Sequence, residues 1–226
     1  MNVSPDTIPT DTPLGKDERG CLVWGLPVSP QWLATRPEAS ARIEALADPK
    51  DGVPGWKALF ASMVSSCLSE IEQWREQDIQ VSGRDWVDVG CGFGHYALAL
   101  KLLGANRVVG LDLVDPSGWA WAGPVLQAAD VESAVGNANV YTKTEADSAC
   151  VFGVTINLRA LLNNNPGVST LVLEEAHGNT FDRLLYEGWS SQSFTLRDVS
   201  YCALSADGLT VVEGDPYQVT VVRRGP

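Results

Sequence analysis

The first long pattern in the chain is a stripe of apolar residues between positions 56 and 76. Its members recur at three- and four-residue spacings, which is typical of one face of an amphipathic helix. They are Phe60, Met63, Val64, Cys67, Leu68, Ile71 and Trp74. A stripe of this kind indicates core packing more often than a cofactor site. Capping signals at 29–30 and 35–38 predict two shorter helices before it, the second ending near Ala47.

The pattern changes after Arg84, where short apolar runs alternate with turn residues. A strand, a glycine-rich turn, a helix and a second strand form a βαβ unit, and its crossover makes the two strands parallel. The order of elements predicts a Rossmann-like, doubly wound α/β fold. Its sheet would have seven mostly parallel strands with antiparallel strands at the C-terminal end. The predicted strands are 86–90, 107–113, 124–129, 149–154, 168–174, 191–205 and 217–223, with helices at 93–103 and 180–187 and turns at 208 and 214–216.

The composition along the chain predicts three segments. Residues 1–20 are rich in Pro, Thr and Asp, which is typical of a flexible arm. Residues 21–80 predict a helical N-terminal cap or lid, and residues 81–226 predict the α/β domain. No internal repeat is visible in the first 80 residues.

Charge and residue usage disfavour several kinds of protein. The net charge is −12, from 16 basic and 28 acidic residues, and this balance disfavours a nucleic-acid partner. Five scattered cysteines and two histidines indicate neither a disulfide framework nor a metal site. The first 20 residues lack the features of a signal peptide, and no apolar run is long enough for a membrane span. We therefore expect a cytoplasmic protein without a metal or a membrane segment; the oligomeric state is left open.

The candidate chemistry lies in residues 85–96, DWVDVGCGFGHY. Its three glycines alternate between a predicted strand and a predicted helix, so a ligand can approach the backbone there. The dinucleotide fingerprint G-x-G-x-x-G fails from Gly90 and can be fitted only from Gly92, with alanine in the last position. Asp88 is more informative than the glycine spacing. A buried carboxylate at this position repels a pyrophosphate and suits a ligand with an ammonium or sulfonium charge.

The pattern D-x-G-x-G-x-G, from Asp88 to Gly94, is followed by Asp112 at the end of the next predicted strand. This arrangement resembles the class I S-adenosylmethionine-dependent methyltransferase family. The specific part of the resemblance covers residues 84–113, and the order of elements extends it to 84–224. The resemblance implies S-adenosyl-L-methionine as the cofactor and S-adenosyl-L-homocysteine as its product. It also implies that residues 81–226 are the catalytic domain.

The resemblance assigns roles around the methionine end of the cofactor. Asp88 would lie near the cofactor's amino group. The residues that would line the methionine end are Gly90, Gly92 and Gly94.

The resemblance also assigns the nucleoside contacts. Asp112 would accept hydrogen bonds from the ribose hydroxyls, and Leu113 would flank the adenine. In the family an acidic residue that ends the third strand contacts the adenine amino group. Asp130 is the first choice for this contact, and Asp147 is the alternative.

Methyl transfer from a sulfonium is an in-line displacement, so the protein must hold nucleophile, methyl group and sulfur collinear in a dry site. A hydroxyl or ammonium acceptor also needs a base. His177 is the preferred base, with Glu174 or Glu175 as its orienting partner or as a cation partner, since all three follow the fifth predicted strand. A polar loop without catalytic role is the competing interpretation. His95 opens the helix after the turn, where the helix dipole favours a neutral imidazole. This residue would border the cofactor carboxylate or a substrate, or it would simply fill the first turn of the helix.

The acceptor is the least determined part of the hypothesis. Residues 153–158 lack an N/D-P-P-Y motif, which disfavours methylation of an exocyclic amine on a nucleic-acid base. Trp119 and Trp121 offer aromatic surfaces for a planar or cationic acceptor, or simple packing. The leading hypothesis is a small organic acceptor. A peptide or protein acceptor, a module that binds the cofactor without turnover, and a nicotinamide-linked dehydrogenase are the alternatives.

Overall fold

The computed structural model describes residues 54–113, 122–138, 145–154, 156–174, 188–197, 200–205, 208–213 and 216–225. The helices are α1 (Pro54–Arg75), α2 (His95–Leu102), α3 (Gly123–Ala128) and α4 (Leu158–Asn164). The strands are β1 (Asp85–Val89), β2 (Arg107–Asp112), β3 (Glu132–Val135), β4 (Ser148–Val151), β5 (Thr170–Glu174), β6 (Trp189–Leu196), β7 (Ser200–Ser205), β8 (Gly208–Glu213) and β9 (Tyr217–Arg224).

The described strands form a seven-stranded sheet in the order β3-β2-β1-β4-β5-β9-β6, and β7 and β8 form a separate hairpin. Strands β1 to β5 are parallel, and β9 runs antiparallel to both β5 and β6. The predicted Rossmann-like sheet is therefore confirmed. The chain proceeds from β1 to β2 on one side and returns to β4 on the other, so the carboxyl ends of β1 and β4 flank the crevice where open α/β sheets bind ligands.

Helix α1 packs on one face of the sheet. All seven residues of its apolar stripe are buried, each with 1% exposure or less. They share one apolar cluster with α2 and with Trp86 of β1. Trp74 stacks on Tyr96 and on Phe152, with ring centroids 6.2 and 5.6 Å apart. The described part of the predicted cap segment thus belongs to the core of the sheet.

The opposite face of the sheet packs against α4. Val87 and Val89 of β1 lie in a second apolar cluster with Leu161 of α4. Because side chains alternate along a strand, Asp88 points to the other face, where α1 and α2 lie. The parallel strands β1, β2, β4 and β5 are mostly buried, which explains their largely apolar sequences, whereas β3 at the sheet edge is mostly exposed.

Residues 124–129, predicted as a strand, form most of α3 instead. Pro124 lies in the first turn, where a helix tolerates proline, and only Gly123 and Leu126 of this helix are buried. An apolar run of six residues is too short for its periodicity to separate a helix from a strand. The third strand is β3, which ends at Val135.

The other predicted elements of the α/β domain have mixed outcomes. The predicted strands 86–90, 107–113, 149–154 and 168–174 and the helix 93–103 are confirmed as β1, β2, β4, β5 and α2. Strand β8 occupies residues where only a turn at Gly208 was predicted. The N-terminal arm, the two helices before Ala47 and the helix at 180–187 lie outside the described residues. None of the described helices combines the length and apolar character that crossing a membrane requires.

Candidate active site

The glycine turn after β1 is hydrogen-bonded to β2. The backbone N–H groups of Gly90 and Cys91 both donate to the carbonyl oxygen of Leu111, over 2.8 and 3.2 Å. The N–H of Gly92 donates to Oδ2 of Asp112 over 2.8 Å. The N–H of Leu113 donates to Oδ1 of the same carboxylate over 2.6 Å. The turn and the acid that ends β2 therefore form one hydrogen-bonded unit.

The three positions of the turn require glycine for different physical reasons. All have positive φ, at 74°, 54° and 80° along the chain. A Cβ atom at Gly90 would lie 2.6 Å from the side chain of Val154, and one at Gly94 would lie 2.9 Å from that of Leu126. A Cβ atom at Gly92 would lie 4.0 Å from its nearest neighbour, Cε1 of His95. Packing of the protein itself thus excludes side chains at the outer glycines, whereas Gly92 borders space that a ligand can enter.

Asp88 lies beneath the turn with 2% of its surface exposed. Its Oδ2 accepts a hydrogen bond from the N–H of Ala97 over 3.0 Å, and its Oδ1 accepts one from the thiol of Cys150 over 3.5 Å. Burial nevertheless raises the pKa of Asp88 to about 7, and the charge of Asp112 contributes to the same shift. A cation placed against the turn would favour the ionised form of this carboxyl.

His95 is the first residue of α2. Burial lowers its pKa to about 3, so the imidazole is neutral at physiological pH. The sequence predicted a neutral ring from the helix dipole, whereas desolvation is the cause in the structure. Its Nδ1 is buried and has no hydrogen-bond partner among the described residues.

Two exposed apolar side chains flank Asp112. Leu113 is 69% exposed and Val135 is 58% exposed. Val135 lies beside Asp112 in the parallel register of β3 and β2, and the N–H of Gly136 donates to the carbonyl oxygen of Asp112 over 2.8 Å. Sequence reasoning missed Val135 because it ended the third strand at 129. The available signal was an apolar residue followed by glycine at 135–136.

Asp130 and Asp147 lie at the opposite edge of the sheet. Asp130 precedes β3, is 92% exposed and forms an ion pair with Lys101 over 3.4 Å. Asp147 precedes β4 and forms an ion pair with Arg84 over 3.6 Å. Because β1 to β4 are parallel, both acids lie where strands begin, a strand length away from the glycine turn. The prediction that Asp130 contacts the adenine is therefore wrong, and its alternative Asp147 fails for the same reason.

Glu174 ends β5 at the edge that carries the glycine turn. Its Oε2 accepts a hydrogen bond from the N–H of Gly153 over 2.8 Å, which ties the loop after β4 to the end of β5. The other residues proposed for the acceptor side lie outside the described residues: Glu175, His177, Trp119 and Trp121. Within the described ranges, no group of three or more His, Cys, Asp or Glu side chains is arranged to hold a metal ion.

The sequence matches no protein-family model and no curated protein. The magnesium protoporphyrin IX methyltransferase from Synechocystis, solved with bound SAH, matches in structure with a TM-score of 0.50. This match covers 85% of this chain and 96% of that chain, at 12% sequence identity. The chain has the class I methyltransferase fold.

Other solved proteins with this methyltransferase fold are also similar to the chain. A putative RNA methyltransferase from Pyrococcus horikoshii is 15% identical over 85% of this chain and 100% of that chain, with a TM-score of 0.45. A SAM-dependent O-methyltransferase from Thermotoga maritima is 10% identical over 73% of this chain and 72% of that chain, with a TM-score of 0.47. At these identities the similarity concerns the fold.

Proposed function

We propose that this protein is an S-adenosylmethionine-dependent methyltransferase that acts on a small organic acceptor. The observation that carries the proposal is the 2.8 Å hydrogen bond from the N–H of Gly92 to Oδ2 of Asp112. It fixes a partly buried carboxylate beside the open side of the glycine turn. Since a carboxylate can accept about four hydrogen bonds, Asp112 can hold the turn and accept from two ribose hydroxyls together.

The amino group and the adenine of the cofactor would also have complementary groups beside the glycine turn and Asp112. Asp88 would attract the amino group of the methionine end, which lies along the glycine turn. The adenine would lie against Leu113 and Val135, whose exposed side chains gain from being covered. The cofactor supplies the methyl group on a sulfonium, and the protein supplies the orientation.

The charges of the site favour this cofactor over a dinucleotide. Asp88 and Asp112 lie close enough for one to raise the pKa of the other. A pyrophosphate would add negative charge beside them, whereas a ligand with ammonium and sulfonium groups lowers their electrostatic energy. The net charge of −12 likewise supports a small acceptor rather than a polyanion.

The acceptor would enter between the end of β5 and the loop after β4, where Glu174 holds Gly153. His177, three residues beyond the end of β5, is the proposed base that removes a proton from the attacking group. Glu174 is its proposed partner. The carbon–sulfur bond then breaks as the new bond to the methyl carbon forms, and the neutral thioether leaves.

Isothermal titration of the protein with S-adenosylmethionine, S-adenosylhomocysteine and NADH tests the cofactor. We expect binding of the first two and none of NADH; the reverse pattern would refute the proposal. A panel of small hydroxyl, amine and thiol acceptors, read by mass spectrometry for the added methyl group, tests the reaction. Tight cofactor binding without any methylated product would favour a binding module. Full turnover by His177→Ala at saturating cofactor would remove His177 from the mechanism.

A further inference from the structure

His95 forms one wall of the open space at Gly92. A Cβ atom at Gly92 would be in ordinary van der Waals contact with Cε1 of His95, and outside the flanking residues no described atom would come closer. Cε1 is bonded to both ring nitrogens, so the ring presents its polar edge on the side that borders Gly92. In the proposed function the methionine end of the cofactor lies in this space. His95 is therefore placed to contact the amino-acid part of the cofactor.

Filling the first turn of α2 does not require a histidine. The residue is mostly buried, and its Nδ1 is fully buried and has no hydrogen-bond partner among the described residues. A buried polar atom without a partner costs free energy that an apolar side chain of similar size would not. Packing alone therefore gives no reason for an imidazole at this position.

The burial of Nδ1 determines where the proton of the ring lies. Burial lowers the pKa of His95 to about 3, so the imidazole is neutral and has one N–H donor and one acceptor nitrogen. Buried N–H groups without a partner are rarer in proteins than acceptors without one, so the proton lies on Nε2 and the acceptor is Nδ1. His95 thus offers an N–H donor at Nε2.

The methionine end of the cofactor carries two opposite charges, an ammonium and a carboxylate. Asp88 attracts the ammonium and repels the carboxylate, so the carboxylate needs a donor elsewhere. Gly94 supplies no side-chain cap to α2, and the first N–H groups of a helix have no partner within it and favour negative charge. A carboxylate beside His95 would interact with this end of α2 as well as with Nε2–H.

The elements that form the turn offer this carboxylate no positive side chain. Between residues 85 and 112, all of which the structure describes, the basic residues are Lys101 and Arg107. Lys101 lies in the last turn of α2 and pairs with Asp130 over 3.4 Å. Arg107 begins β2 and pairs with Glu132. Both pairs lie at the edge where the parallel strands begin, so a neutral donor must serve at the turn.

We propose that the Nε2–H of His95 binds the carboxylate of the cofactor's methionine end, and that the site thereby selects sulfur nucleosides with an intact α-amino acid. This inference rests on the proposed function. Asp88 receives the ammonium and His95 receives the carboxylate, so each charge of the amino acid has its own partner. A compound that lacks only the carboxylate loses the contact with His95 and keeps the contact with Asp88.

Isothermal titration with S-adenosylmethionine and with its decarboxylated form isolates this contact, because the two compounds differ only in the carboxylate. We expect native protein to bind the decarboxylated form at least about tenfold more weakly, as for loss of a hydrogen bond to a charged group. His95→Phe keeps a planar ring without a donor. It should weaken binding of S-adenosylmethionine by about tenfold and binding of the decarboxylated form by less than about twofold.

Two further variants test which nitrogen donates. Glutamine places an amide nitrogen near the position of Nε2, whereas asparagine places one near that of Nδ1. His95→Gln should therefore recover most of the affinity for S-adenosylmethionine, and His95→Asn should not; recovery in His95→Asn alone would contradict a donor at Nε2. Asp88→Asn is the matched control: both compounds keep the ammonium, so it should weaken both by a similar factor.

The chain has two histidines, so nitrogen NMR of protein with isotope-labelled histidine can follow the ring of His95 in the native fold. S-adenosylmethionine should move the Nε2 signal much more than the decarboxylated form does. Circular dichroism checks the folding of each variant. Equal losses for both compounds in His95→Phe, or no loss for either, would overturn the inference. If that variant does not fold, an Nε2 signal that responds equally to both compounds overturns it. Native protein that binds neither compound would instead refute the proposed function.

Discussion

Val135 stands directly beside Asp112 in the parallel register of β3 and β2, and its side chain is 58% exposed. The carboxylate is fixed by two N–H groups, and among the described residues none covers the apolar area of the valine beside it. Leu113, the residue that follows the acid in the sequence, is 69% exposed. In the proposed function these two exposed apolar side chains and the carboxylate of Asp112 would contact the nucleoside of the cofactor.

Val135→Ser should weaken binding of S-adenosylhomocysteine by about three- to tenfold, because the proposed complex covers this apolar area with adenine. The free energy of unfolding should change by less than about 0.5 kcal/mol, since the side chain is exposed without the ligand. Isothermal titration and urea unfolding measure the two effects. A loss of stability as large as the loss of binding energy would show that Val135 supports the fold instead.

Asp112→Ala should weaken binding of S-adenosylhomocysteine by about 10- to 100-fold, because hydrogen bonds to a charged acceptor are lost. Asp130→Ala is the matched control: it removes an acid of the same type from the opposite edge, where it pairs with Lys101. Its binding should stay within about twofold of the native protein. Equal losses in the two variants would contradict the site.

Gly92→Ala and Gly94→Ala should separate binding from stability. Both positions have positive φ, so both variants carry backbone strain of about 1–3 kcal/mol. Only the alanine at 94 also meets Leu126, so that variant should be less stable by a further amount of about 1–3 kcal/mol. Gly92→Ala should lose cofactor affinity more than tenfold, as an estimate from loss of close backbone approach. Adding Leu126→Ala should remove the additional loss of stability in Gly94→Ala, because the clash with Leu126 disappears. It should not change the loss of stability in Gly92→Ala. An equal effect on the stability of both glycine variants would refute the packing argument.

Asp88→Asn should make the protein without cofactor more stable above about pH 7. The native pKa of Asp88 is about 7, above its ordinary value of 3.8, so the folded state binds more protons between these values and stability decreases as pH rises through them. The contribution is up to about 4 kcal/mol. Urea unfolding from about pH 4 to 8.5 should show a flatter pH dependence in Asp88→Asn than in native protein. The same variant should bind S-adenosylmethionine less tightly, and a variant that gains stability without losing affinity would contradict the proposed role.

The sequence predicted the parts of this protein that depend on local pattern. The alternating glycines after a buried strand located the turn, and the run before Asp112 located β2. Both are short-range signals that tertiary packing does not override. The third strand was misplaced because 124–129 is apolar enough for either type of element, and the wrong strand then brought Asp130 into the predicted site.

Other features depend on contacts that are distant in sequence. Glu70 lies on the apolar stripe of α1, and no local signal shows that it meets Tyr96, 26 residues away. The exclusion of a side chain at Gly90 comes from Val154, which follows three further strands in the sequence. Such relationships follow from the order of strands in the sheet, which the sequence predicts only as a class of fold.

The ion pairs at the edge where the parallel strands begin have a kinetic consequence. Arg84, Lys101 and Arg107 are each paired there, with Asp147, Asp130 and Glu132. These pairs balance the charges that they contain, and the whole chain carries a net charge of −12, so the field around the molecule is negative. That field draws positively charged solutes inward from bulk solution, so the association rate of such a solute decreases as ionic strength rises.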